Sequence, residues 1–274
     1  MIDLLQSVAQ QTLVIAALHL PPFPSSGHPG ASEISSIIDY ALRNTSHAVE
    51  LGVQALYIQD LGDHPWARSI QPHTVATMSV IGGRLRLEFP DLILGVCTMS
   101  HGAREPIAIA QAIEAQFVRL KVYVGAMVKA EGILEGCAHE AVTYRSQCRA
   151  DGITILADVY DRTGVPLGEP SLLEAAREAA LFGRADGLIL TGRSLDESLD
   201  MLSEVKSADL GVPLFLGGGA NAENIARVLA DANGVIVSTA FKANGAWKRS
   251  SLAADWDVGR ISTFMQAVEK SPRE

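Results

Sequence analysis

Pro213-Leu-Phe-Leu-Gly217-Gly218-Gly219-Ala-Asn221 decides the fold, together with Gly234-Val-Ile-Val-Ser238-Thr239-Ala240-Phe241-Lys242 one helix later. Each half is a short apolar strand that ends in small residues. The first runs into Asn221-Ala-Glu-Asn-Ile-Ala-Arg-Val-Leu, whose polar start and apolar spacing predict a capped amphipathic helix. Glycine lets backbone N–H groups approach an anion closely, and a helix start behind it adds positive dipole potential. The last two strands of a (β/α)8 barrel commonly hold a phosphate in this way. The glycines alone could make only a tight turn; the spaced pair of small-residue strand ends favours the phosphate reading. The expected ligand contacts are Thr191, Gly217, Gly218, Gly219, Asn221, Ser238, Thr239 and Ala240.

Working outward, short apolar strands alternate with helical segments along the whole chain. The strands are expected at Leu13–His19, Ala55–Gln59, Leu92–Met99, Phe117–Val124, Ile153–Val159, Gly187–Thr191, Pro213–Gly217 and Gly234–Thr239. They are near-continuous hydrophobic runs, as strands buried on both faces of a parallel sheet should be. Amphipathic spacing marks helices at Ile34–Leu51, Ile107–Ala115, Leu172–Phe182, Ala222–Leu229 and Val258–Val268. Eight such units predict an α/β fold, a single (β/α)8 barrel over residues 1–274, rather than an open sheet. No Gly-x-Gly-x-x-Gly follows the first strand, so the dinucleotide-binding alternative lacks its main signal. Ala240–Trp256 and the tail after Lys270 are the segments expected to move.

The chain has 274 residues, 48% of them hydrophobic and 19% charged, enough for one barrel-sized core. Its net charge of −9 and its lack of a basic run argue against nucleic-acid binding. No apolar stretch approaches the ~20 residues of a membrane span. The N-terminus does not read as a signal peptide. Cys97, Cys137 and Cys148 are an odd set without metal spacing, which fits a reduced cytoplasmic protein. Self-association into a homo-oligomer is compatible with a barrel of this type.

Chemistry in such a barrel gathers at the C-terminal strand ends. Those ends place His19, Asp60, His101, Lys121, Tyr123, Asp158 and Arg162 at the mouth, with Asp63, His64, Glu131 and Glu135 in nearby loops. His19 could act as a base, an acid or a ligand, or could pin the proline loop that follows it. Asp158 ends an apolar run, where a charge should be paired or used. Arg119 and Lys121 share one face of their strand, because strand side chains alternate. Pointing inward, they need carboxylate partners or a phosphate, and Glu135 and Asp158 are the candidates. A metal site from His19, His64, His101 and Asp158 lacks any supporting spacing, so no metal and no cofactor is expected. A Ser-His-Asp triad lacks its Gly-x-Ser-x-Gly elbow.

These segments together resemble the BtpA/SgcQ family. The matching stretches are Ala17-Leu-His19-Leu-Pro-Pro-Phe-Pro, Gly62-Asp63-His-Pro65-Trp66 and Thr74-Val-Ala-Thr-Met78. They continue through Gly132-Ile-Leu-Glu135-Gly136 with Tyr144-Arg145, Ile155-Leu-Ala-Asp158-Val, Leu190-Thr191-Gly192 and the two glycine-rich and small-residue strand ends. The resemblance keeps its order from about Leu13 to Val268. It implies a (β/α)8 barrel with a phosphate-type site. Members are associated with photosystem I accumulation in phototrophs or with sugar-related gene sets.

This chain departs from the family pattern at the mouth. Gln59-Asp60 stands where Glu-Asn is usual, and Ser100-His101-Gly102 where Arg-Asn-Asp is usual. Lys121 replaces an Asn, Arg162-Thr163 replaces Lys-His, and an acidic residue expected near Ala130 is missing. Lys and Arg are not equivalent in hydrogen-bond geometry. His19, Arg119, Glu135, Asp158 and the glycines are retained.

Two functions follow. The first is an enzyme acting on a small phosphorylated carbohydrate or nucleoside-like compound, with catalytic roles for His19, Asp60, His101, Lys121, Glu135, Asp158 and Arg162. The second is a non-catalytic factor for assembly or accumulation of another complex, or a ligand sensor that keeps only the phosphate site.

Overall fold

The computed structural model describes residues 4–168, 171–243 and 254–271. Residues 244–253, inside the segment expected to move, and the last three residues of the tail lie outside that description.

The eight expected strands close into a parallel barrel. They are β1 (Leu13–His19), β2 (Ala55–Gln59), β3 (Ile93–Cys97), β4 (Phe117–Leu120), β7 (Thr154–Asp158), β9 (Gly187–Leu190), β10 (Leu214–Leu216) and β11 (Gly234–Val237). Around the barrel the order is β1-β11-β10-β9-β7-β4-β3-β2. The helices are α1 (Leu4–Gln10), α2 (Ile34–Glu50), α3 (Pro72–Glu88), α4 (Arg104–Ala112), α5 (Ala138–Gln147), α6 (Leu172–Arg177), α7 (Leu195–Ser207), α8 (Ile225–Leu229) and α9 (Val258–Glu269). A π-helical turn, Glu178–Phe182, extends α6. Among the described residues no helix is long and apolar enough to cross a membrane.

Period-two alternation explains the packing. One set of strand residues, including Leu13, Ile15, Ala55, Tyr57, Ile93, Phe117, Leu156, Ile189, Phe215 and Ile236, forms a cluster inside the barrel. The other set packs outward against the helices. Two phenylalanines fill the interior, and glycines make room for them. A Cβ on Gly95 would stand 2.3 Å from the Phe117 ring, and one on Gly234 would stand 2.8 Å from the Phe215 ring. The interior is a packed core, not a pore. Helix α1 closes its N-terminal end: Leu4 joins the inner cluster, and Leu5 and Val8 pack on it.

The stretch expected as one strand over Phe117–Val124 stops pairing at Leu120. The chain then folds into β5 (Ala126–Lys129) and β6 (Gly132–Glu135), which pair antiparallel, and β8 (Val165–Pro166) joins β5. Gly132, at φ 108°, starts the return strand. This small sheet is carried by the connections that follow β4 and β7, at the barrel mouth. Its inner side packs Met127 and Leu134 on Val122.

Candidate functional site

The inward phase of the strands runs up to or just past their last paired residues and delivers the side chains at the mouth. Tyr57 is followed by Gln59, Phe117 by Arg119 and Lys121, Leu156 by Asp158, Ile189 by Thr191, Phe215 by Gly217, and Ile236 by Ser238. Together with His19 from β1 they line a cavity of about 330 Å³, completed by Leu61, Trp66, Met99, Asp161, Arg162, Thr163, Gly218, Gly219 and Thr239.

The β4–β7 side carries matched charges. Arg119 Nε and Nη2 donate to the two Asp158 carboxylate oxygens at 3.0 and 2.8 Å. Its Nη1 donates to the Tyr57 hydroxyl at 2.8 Å. Burial opposes the Arg119 charge, but Asp158 and Tyr57 outweigh it and hold the guanidinium protonated. Burial pushes Asp158 upward while Arg119 draws it down. Lys121 Nζ donates to the Met99 carbonyl at 2.9 Å and lies 3.9 Å from Asp161. Lys129, reaching in from β5, forms an ion pair with the same carboxylate. Burial alone would raise Asp161, yet Lys121 and Lys129 pull it down to about 2. The partners of the inward cations are thus Asp158 and Asp161. Glu135, the other candidate, lies exposed on β6, where its backbone carbonyl meets His101 Nε2 at 2.7 Å.

The β10–β11 side is built from backbone. Gly217 donates its amide to the Leu190 carbonyl and has no positive φ; a Cβ there would stand 1.7 Å from Thr191 Oγ1. Its role is therefore to make room for Thr191. Gly218 and Gly219, at φ 155° and 90°, turn the chain away from the strand. Among the described residues, no backbone acceptor takes the amides of Gly218, Gly219 or Thr239. The Arg162 guanidinium approaches to 3.9 Å from where a Gly218 side chain would begin. Thr191 Oγ1 is buried and, among the described residues, has no hydrogen-bond partner.

The expected helix after the glycines is shorter than its sequence pattern. Asn221 Oδ1 accepts from the Glu223 and Asn224 amides at 3.0 Å each, but regular helix begins only at Ile225. Asn221 therefore caps the turn and does not line the cavity. A helix of five residues supplies little dipole. Ala240 also stays outside the lining; its carbonyl accepts from Arg260 Nε at 3.0 Å.

Three further candidates sit apart from the cavity. Asp60 follows inward Gln59 and so takes the outward phase; its carboxylate accepts from the Met99 amide at 2.6 Å. Burial raises it to about 6. Asp63 accepts from the Phe23 amide at 2.9 Å, fixing the proline loop after β1. His101 lines a smaller neighbouring void of about 10 Å³. Among the described residues, no three His, Cys, Asp or Glu side chains come together as metal ligands.

His19 has two partners at one nitrogen: Ser238 Oγ and Lys242 Nζ each lie 3.3 Å from Nδ1, and a Lys242 ammonium there can only donate. A neutral ring accepting at Nδ1 carries its proton on Nε2. Burial, then Lys242, Arg119 and Arg162, lower the His19 pKa well below its ordinary value. Burial brings Lys242 down to about 8. Reading strand ends alone misses Tyr57, Gln59, Asp161 and Lys242 as site residues. Strand parity could have found the first two; Asp161 and Lys242 lie in loops whose course no local pattern gives.

Site and fold define a (β/α)8 barrel whose mouth pairs a charged wall with a glycine wall. The chain belongs to the BtpA family, whose model matches residues 10–270. It is 32% identical over 272 residues to the photosystem I biogenesis protein BtpA of Synechocystis, covering 97% of this chain and 91% of that one. Among solved structures it resembles 3-keto-L-gulonate-6-phosphate decarboxylase from Vibrio cholerae, at TM-score 0.56 and 13% identity over 96% of this chain and 99% of that one. It also resembles N-(5'-phosphoribosyl)anthranilate isomerase from Pyrococcus furiosus, at TM-score 0.52 and 14% identity over 94% and 99%. At such identities the likeness is one of fold.

Proposed function

We propose that the barrel mouth binds a small phosphorylated ligand as the active site of an enzyme of sugar-phosphate or nucleoside-like metabolism. One observation carries this reading: the Gly218, Gly219 and Thr239 amides, without backbone acceptors among the described residues, open on a cavity that Arg162 also lines. Backbone donors joined by a guanidinium suit a phosphate. The Thr191 hydroxyl offers one more donor beside them. Two neighbours of the same fold carry phosphorylated-sugar names.

The roles of the chain's own groups follow from their partners. His19, neutral and protonated on Nε2, suits donation to a developing oxyanion better than proton abstraction. Lys121 supplies positive charge from the opposite wall. Asp158, tied to Arg119 by two bonds, orients that cation. Isomerisation, aldol-type cleavage and glycosidic cleavage all use such groups.

A thermal-shift titration with inorganic phosphate and ribose 5-phosphate tests the reading, because a ligand of the native state raises its stability. Gly218→Asp is the control. Its side chain would start 3.9 Å from Arg162 and occupy the anion position from within the chain. A shift in the wild type that this substitution removes supports the site. No shift with any phosphorylated compound overturns it.

The second reading is an assembly or accumulation factor. It is favoured by the name of the Synechocystis relative and by the carboxylate pairing of Arg119, Lys121 and Lys129 at the mouth. It predicts stable capture of a partner protein that Gly218→Asp leaves intact.

A further inference from the structure

The cavity has two unlike ends. In the barrel order, β3 stands opposite β10. Met99, two residues beyond β3, therefore faces the glycines beyond β10. Leu61 and Trp66, from the β2–α3 connection, extend that far wall. It offers apolar and aromatic surface, with Gln59 Nε2 and Lys121 Nζ already donating to the Met99 sulfur at 3.2 and 3.5 Å, where the near wall is made of amides.

Trp66 has a neighbouring ring for support. Its ring meets His64 edge to face, with centroids 6.3 Å apart and planes at 66°. His64 meets His28 in the same way, at 4.7 Å and 65°. The three rings hold one another in place at the cavity edge. The Trp66 indole N–H is buried and, among the described residues, has no acceptor. A buried donor without a partner is costly, so a native structure that keeps one invites a ligand acceptor.

A bare sugar phosphate matches this wall poorly. Its hydroxyls would face Leu61 and Met99 and leave carbon surface unmatched. A planar heteroaromatic ring covers that surface and carries ring nitrogens or carbonyl oxygens in its plane, which can accept from an indole N–H. From this we infer that the far wall is a ring-binding subsite. The ligand is then a phosphorylated compound that also bears a flat heteroaromatic ring, a nucleoside monophosphate being the simplest of its class. The inference rests on the phosphate reading above and adds the second half of the ligand.

The test compares ribose 5-phosphate, a panel of nucleoside monophosphates and the matching nucleosides by calorimetric titration. Wild-type protein, Trp66→Ala and Trp66→Phe are measured. At least one nucleoside monophosphate should bind about tenfold or more tighter than ribose 5-phosphate, the scale of one base–aromatic contact. Trp66→Ala should remove that advantage and leave ribose 5-phosphate unchanged. Trp66→Phe should keep part of it, since a ring remains while the N–H is lost. Ribose 5-phosphate binding as tightly as every nucleotide overturns the subsite and spares the phosphate reading. An advantage that survives in Trp66→Ala also overturns it. A nucleoside that binds wild type but not Trp66→Ala, with no phosphate effect, keeps the subsite and overturns the phosphate reading.

Discussion

The β4–β7 end of the mouth and the β10–β11 end solve opposite problems. At the first, Arg119, Lys121 and Lys129 enter a low-dielectric core and each meets a carboxylate, Asp158 or Asp161. At the second, no carboxylate lines the wall among the described residues, and the residues there include Gly218, Gly219 and Thr239 with their amides. One wall pairs its own charges; the other keeps amides that no backbone acceptor takes among the described residues. The difference separates charges that the chain itself neutralises from donors that it leaves open. A strongly shifted group at the first wall, such as Asp161, reports its ion pairs rather than a catalytic task.

The largest effect that can break this contrast is on stability. Asp158→Ala leaves a buried guanidinium with the Tyr57 hydroxyl as its hydrogen-bond partner among the described residues, and losing one member of a buried pair costs about 3–5 kcal/mol. Gly218→Asp has room for its side chain but sits at φ 155°, where an L residue is strained, so it should lower the urea midpoint as well, by the smaller cost of about 1–3 kcal/mol usual for such backbone strain. Equal losses at the two ends would mean that the glycine wall is structural as well. Asp158→Ala should therefore unfold at the lowest urea concentration, with the glycine variant between it and wild type.

Next in size is Asp60, which lies behind the charged wall although its place at a strand end makes it a catalytic candidate in the sequence. Its carboxyl is raised by burial to about 6, so the native state binds a proton there before the unfolded chain does. Its ionisation therefore works against the fold as pH rises through about 6, and the penalty is absent below the ordinary carboxyl range. Asp60→Asn keeps an oxygen for the Met99 amide and removes the ion. It should gain up to about 3 kcal/mol at pH 7.5 and little at pH 4, read from urea midpoints at the two pH values. A loss at pH 7.5 would return Asp60 to an active role toward Lys121.

The eight strands were legible because parallel strands buried on both faces leave unbroken apolar runs. The glycine wall was legible because Gly219, at φ 90°, sits where other residues are strained. What stayed hidden was set by tertiary geometry. Asp60 and Gln59 are neighbours in sequence, and strand parity gives the cavity to one of them only once the inward face of β2 is known. The strand expected to run to Val124 stops at Leu120, and a hairpin that returns at Gly132 follows it, carrying Glu135 away from Lys121 and bringing Lys129 in. Helix α8 starts three residues later than its amphipathic pattern because Asn221 first closes a local turn.

The smallest effect sharpens the contrast at the one residue that belongs to both walls. His19 faces the cavity between them and has Lys242 and Ser238 at Nδ1. Its pKa lies well below the ordinary value, so the ring releases its proton in the fold before it would in the unfolded chain. This costs stability as pH falls through about 6.5 and costs nothing above it. In Lys242→Met both the positive charge and one donor are gone. The pKa should climb toward its ordinary value, and the acid loss of stability should shrink. Nitrogen-15 spectra of the imidazole should show one tautomer, protonated at Nε2, in wild type near pH 7, and a mixture in the variant. A wild-type ring that carries its proton on Nδ1 would instead leave Nε2 as a base aimed at the ligand. It would move His19 from stabilising an oxyanion to abstracting a proton.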